Sequence, residues 1–189
     1  MSNTEHSIAT YVSDMLALER HIRIPFDTQL KDEDFNDFRN AKALVVRLAG
    51  LVDRHVAALD ALLKAEGGQE ASPIKSAVSQ FEGMIAGAID KVRKTKVSKA
   101  LRDDYTALSL CNASYTLLHA TAHALGSENV ASLAKRHLED YASCVMEIGR
   151  ALPEACVQEL LSIGLPVQTA AASESVDATQ QAWRVGQPG

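Results

Sequence analysis

A chain of 189 residues that is 47% apolar yet only 5% aromatic is long enough to bury one sizeable core, and its wealth of Ala and Leu favours helices over sheets. A formal net charge of −5 argues against a general nucleic-acid binder, which would present a dominant basic face. Three cysteines with no CxxC pair fit a reducing compartment, and neither a leader-like start nor a membrane-length apolar run is present, so the expected location is the cytoplasm, away from any membrane.

Ile8, Tyr11, Met15, Leu18 and Ile22 recur at three and four, which predicts a first helix from Ser7 to about Ile24. Glu19 lies beside that face, and Pro25 is expected to end or kink the helix. In the linker KDEDFND, Asp32, Glu33 and Asp34 suit the positive end of the next helix. That second helix, Asp34 to Ala65, carries Phe35, Phe38, Leu44, Val45, Leu48, Leu51, Val52, His55, Leu59 and Leu62 as its stripe and stops at Gly67-Gly68. His55 on this apolar face reads either as a core histidine bonded to a neighbour or as a metal ligand. Ser72-Pro73 looks like a cap followed by Pro in the first turn. The amphipathic segment after it has Gly83 and Gly87 in a GxxxG spacing that suits close helix contact. The basic run from Lys91 through Lys96 to Arg102 reads as a solvated helix end.

The centre of the chain is Asp103 to Leu125, with no Gly or Pro inside and Gly126 as its stop. Leu101, Tyr105, Leu108, Cys111 or Asn112, Tyr115, Leu118, Ala122 and Leu125 form its stripe. His119 and His123 have a spacing that can chelate a metal, but no HExxH glutamate accompanies them, and they read as a surface pair. A fourth helix is predicted from Ser127 to Ala151, with Val130, Leu133, His137, Asp140 or Tyr141, Cys144, Val145 and Ile148 inward. His137, Glu139 and Asp140 are its ligand-bearing cluster. Pro153 separates it from a short fifth helix, Glu154 to Ile163, closed by Gly164 and Pro166. Residues 1–165 therefore read as the bundle and 166–189 as a flexible polar tail with at most one amphipathic turn, in which Trp183 is a docking anchor for its own chain or a partner subunit.

Four long amphipathic helices with an extra segment between the second and third predict an all-α, ferritin-like four-helix bundle, up-down-down-up with a long crossover. The segments DMLALERHI, RHVAALDALL, NASYTLLHA and LAKRHLEDYA, in this order, resemble the bacterial ferritin-like stress-response proteins of the YciE/YciF type over roughly residues 8–152. The resemblance places metal-ligand positions at Glu19, His55, Glu139 and Asp140. It also places missing acids at Leu51 in helix two and near Leu108 and Cys111 in helix three.

A di-iron site in such a bundle draws a Glu from each of two helices and Glu-x-x-His from each of the other two. What remains here can hold one divalent ion weakly, iron or manganese, or no cofactor at all. The first expectation is thus a non-catalytic bundle of the stress-response type, a homodimer or higher homo-oligomer. The alternatives are a metal-dependent oxidase or ferroxidase with non-standard ligands, and a helical adaptor acting through dimerisation or tail docking. Nothing in the chain resembles a P-loop, GxGxxG or GxSxG.

Overall fold

The computed structural model of the protein describes residues 3–65 and 97–185. Among these it contains five α-helices and no strand: α1 (Asn3–Lys31), α2 (Arg39–Ala65), α3 (Val97–Ala124), α4 (Glu128–Ser162) and α5 (Ala171–Val185), with a short 3-10 turn at Glu33–Asn36. The Gly67-Gly68 stop, the segment after Ser72-Pro73 with Gly83 and Gly87, and the basic residues from Lys91 to Lys96 lie outside the described residues.

Polar contacts between helices give the direction of each. Glu19 meets Tyr115 and Gln29 meets Asp104, so α1 and α3 run in opposite directions. Arg47 pairs with Glu147 and Asn40 with Glu154, so α2 opposes α4. Arg23 pairs with Asp53 and Arg20 with Asp60, which sets α1 against α2. The four helices are therefore up-down-down-up, with α2 and α3 parallel, as the sequence analysis expected. Val12, Leu16, Val45, Leu48, Val52, Leu59, Leu101, Leu108, Leu118 and Ile148 fill the space between them. Each such side chain contributes about 1.5–3 kcal/mol on burial.

Two turns end as the glycines required. Gly126 and Gly164 adopt φ of 72° and 78°, and the next amides, Ser127 N and Leu165 N, reach back to the carbonyls of Ala122 and Leu160 at 2.8 and 3.1 Å. This closure satisfies carbonyls that the helix end leaves open, and it needs a left-handed residue at the glycine position.

The prolines behave differently from expectation. α1 continues through Pro25 and α4 through Pro153, so the separate fifth helix at Glu154 to Ile163 is instead the last part of α4. An interior Pro costs roughly 3 kcal/mol, and here the turns beyond it are anchored. Past Pro25, Phe26 is buried and Gln29 donates to Asp104 at 2.8 Å. Past Pro153, Ala155 is buried, and Glu159 accepts from the backbone N–H groups of Val97 and Ser98 at 2.6 and 3.2 Å. Glu159 so supplies a cap to α3 from another helix.

Other corrections follow from the same packing. The buried face of α1 is Ile8, Val12, Met15, Leu16, Glu19, Ile22 and Phe26, and Tyr11 points outward. Asp32 caps the 3-10 turn through Asp34 N at 3.0 Å, and α2 begins only at Arg39. The segment expected to be a flexible tail forms the 15-residue helix α5 over Ala171–Val185. It lies on α4, where Val176, Thr179, Gln180 and Trp183 line a small pocket with Tyr105, Val145, Met146 and Gly149. Trp183 lines that pocket on its own chain while about half of its surface, 52%, stays exposed.

Asp104 is a buried acid that its place in the sequence did not mark. Gln29 Nε2 donates to its Oδ1, while Asp104 Oδ2 and Gln29 Oε1 have no partner. Burial pushes its carboxyl up to about 7, with Gln29 opposing the shift. Because the folded value lies above the ordinary 3.8, the unfolded chain ionises first as pH rises, and stability falls between about pH 4 and 7, by up to about 1.4 kcal/mol per unit. Asp104→Asn removes that slope. Urea unfolding from pH 4 to 8 should show the variant roughly 2–4 kcal/mol more stable than the parent at pH 8, with the difference shrinking toward pH 4.

Candidate metal centre

Midway along the bundle, apolar packing gives way to one polar cluster contributed by all four long helices. Glu19 arises from α1 because Met15, Glu19, Ile22 and Phe26 are spaced at three and four on its inner face, so the carboxylate shares the stripe with hydrocarbon. His55 from α2, Tyr115 from α3, and His137 and Tyr141 from α4 occupy equivalent inward positions, and all are buried.

The carboxylate of Glu19 is fully desolvated and met by three groups. Tyr115 Oη donates to Oε1 at 2.7 Å, Tyr141 Oη donates to Oε2, and His55 Nδ1 lies 3.2 Å from Oε1. Burial, and then the Glu19 charge, drive both phenols upward, so each stays protonated and able to donate. The single proton of Tyr115 points to Glu19, so its oxygen accepts from His137 Nδ1 at 2.8 Å. That fixes the His137 tautomer and leaves its Nε2 with the lone pair. Burial, with the neighbouring His55 adding to it, pushes His137 down to about 3, so the ring is neutral near pH 7. The two imidazoles stack at 3.6 Å with planes 6° apart.

His55 joins this interior to the surface. Its Nε2 lies 3.1 Å from Oδ2 of Asp140, whose side chain is 51% exposed. The ring therefore bridges a buried carboxylate and an exposed one. Asp140 lines a groove of about 440 Å³ between α2 and α4, together with Arg47, Leu51, Arg54, Cys144 and Glu147.

The expected ligand set is therefore only partly assembled. Glu19 and His55 come together, and Asp140 stands at the rim of the same cluster. Glu139 turns to solvent, 3.8 Å from Lys135 on its own helix. His137, which the sequence placed in the ligand-bearing cluster of its helix but the resemblance did not map as a ligand position, takes the interior place instead. Of the positions where the resemblance put missing acids, Leu108 and Cys111 are fully buried, whereas Leu51 faces the groove and the buried neighbour of His55 is Val52. The Cys111 thiol is held protonated by burial and by the Glu19 charge.

Glu19, His55 and His137 each offer one ligand atom, all within 4.8 Å of one another. Two imidazoles and one carboxylate are a donor set for a single divalent transition metal with open positions for water. One buried carboxylate does not neutralise two such ions, so the residues fit one metal and not a pair. His119 and His123 are elsewhere, on the exposed side of α3.

Fold and centre together define an all-α four-helix bundle with a buried carboxylate held by histidine and tyrosine. A crystal structure of a protein from Xanthomonas campestris pv. campestris is similar to it, with 16% identity and a TM-score of 0.68 over 87% of this chain and 100% of that one. At that identity the likeness bears on the fold alone. No protein-family model and no curated protein matches the chain.

Removing one donor tests how far the network holds the bundle. Tyr141→Phe should lower stability by about 1.5–3 kcal/mol, the value of a hydrogen bond to a charged group. Tyr115→Phe should cost more, because it also leaves His137 Nδ1 without its acceptor. Chemical denaturation of the two variants would give unchanged midpoints if the phenols were mere space-filling rings.

Proposed function

We propose that the chain is a ferritin-like helical-bundle protein of the bacterial stress-response type, self-associating, whose centre binds a single divalent ion, iron or manganese, and performs no two-metal oxygen chemistry. The observation that carries this reading is the composition of the interior: Glu19 is the sole buried carboxylate among the three residues whose ligand atoms converge. Two-metal sites hold their ions about 3.5–4 Å apart and need several carboxylates to offset the charge. Among the described residues, therefore, the several carboxylates of a di-iron oxidase of the usual kind do not converge.

The ion would be held by Glu19, His55 and His137, and Asp140 would keep its contact with the far side of His55 or reach the ion from the groove. A carboxylate paired with the outer nitrogen of a ligating imidazole fixes the ring and raises its basicity. The hydrogen bonds from Tyr115 and Tyr141 and the contact with His55 support a bundle that folds without depending on metal. In this respect it differs from small domains in which metal-binding energy is the folding energy.

Metal analysis after equilibration with Mn²⁺ or Fe²⁺ under anaerobic conditions tests the reading, performed on the H119A/H123A chain so that surface imidazoles do not contribute. The expected result is one ion per chain, with affinity reduced at least tenfold by His137→Ala. Two tightly held ions, or a melting temperature that collapses when a chelator is added, would contradict it.

A further inference from the structure

The exposed end of α3 carries a histidine pair that the central network does not use. His119 and His123 stand one helical turn apart, with Nε2 atoms 3.2 Å from each other, ring centroids 4.5 Å apart and planes at 82°. Zinc holds an imidazole nitrogen at about 2.0–2.1 Å, so two nitrogens on a tetrahedral ion lie about 3.3–3.4 Å apart. At the right angle of square-planar copper the same bond lengths give about 2.9 Å. The separation in this protein falls between those values. Each ring presents its Nε2 to the other across that separation.

Two further features favour a cation there. The helix fixes the spacing of residues four apart, so little freedom is lost when both rings take one ion. His123 also lies in the last turn of α3, at the end of the helix where the backbone dipole favours positive charge. Imidazole donors suit zinc, copper and nickel, whereas magnesium, calcium and manganese prefer oxygen. Among the described residues no third His, Cys, Asp or Glu converges on the pair, which leaves the other coordination positions to water.

We propose that His119 and His123 form a surface chelate for a late first-row divalent cation, Cu²⁺ or Zn²⁺, separate from the bundle centre. Binding brings each Nε2 lone pair to the ion and leaves the proton of each ring on Nδ1. A simple hydrogen bond between the two rings is the competing account of the same contact. It involves one lone pair only and confers no affinity for metal.

Calorimetric titration of Cu²⁺, and separately Zn²⁺, into the full chain and into the H119A, H123A and H119A/H123A variants distinguishes the two. The parent should bind one equivalent more than the double variant, whatever the centre binds, because the centre is common to both. Each single variant should lose at least tenfold in affinity for that equivalent, since a lone imidazole cannot chelate. The pair is exposed, so far-UV circular dichroism should show all four chains equally folded. Identical stoichiometry and affinity in the parent and the double variant would overturn the proposal. So would a single variant that keeps the parent's affinity.

Discussion

The carboxylate of Glu19, shut away from water, is the constraint around which the interior is arranged. An ion of this kind costs several kcal/mol to desolvate, and the chain meets that cost by bringing two phenols and an imidazole to it from three other helices. Each donor fixes a rotation and a height for the helix that carries it. A helix that slipped by one turn would strand the charge, so the network sets the register of the bundle more sharply than hydrocarbon packing could. A further hydrogen bond, from His137 to Tyr115, extends this constraint to a second residue of α4.

Among the described residues three buried carboxyl groups lie along the bundle, and each is accommodated by different means. Glu159 sits against the amides that open α3 and acts as a cap. Asp104 has only Gln29 to bond with, and burial shifts it toward its neutral form. Glu19 alone is ringed by donors and reaches, through His55 and Asp140, an open groove. That difference in surroundings is why one of the three can serve a ligand while the others serve the fold.

Much of the architecture was legible in the chain itself. Long runs of three-and-four spacing located the helices, and Gly126 and Gly164 located two of their ends, because only a residue tolerant of left-handed φ suits those turns. Pro25 and Pro153 misled, since the anchors that keep the helix going, Phe26 and Gln29 in one case and Ala155 and Glu159 in the other, act across the tertiary structure. The centre was legible in part. His55 lies on the predicted stripe and Glu19 beside one, and the face of α1 is turned so that Val12, Leu16 and Glu19 are inside and Tyr11 outside, which a five-residue pattern could not resolve. Choosing between Asp140 and Tyr141 needed the same angular precision. The helix wheel placed Asp140 inward ahead of Glu139, and the structure puts it at the rim, with Tyr141 and His137 in the interior. Tyr115 stood at the middle of the central helix, but nothing in a single chain shows that its hydroxyl faces an acid ninety-six positions earlier.

The proposal comes down to charge: one carboxylate at the bundle centre among the described residues, bonded by two phenols beside an imidazole, in a donor set proposed to take one ion in place of those bonds. Anomalous diffraction from crystals grown with Mn²⁺ addresses this most directly, because it locates ions without reference to activity. A single peak at mid-bundle in contact with Glu19, His55 and His137 is the predicted result. A pair of peaks about 3.5–4 Å apart, or a centre that takes up no ion while the hydrogen-bonded network stays intact, would contradict it.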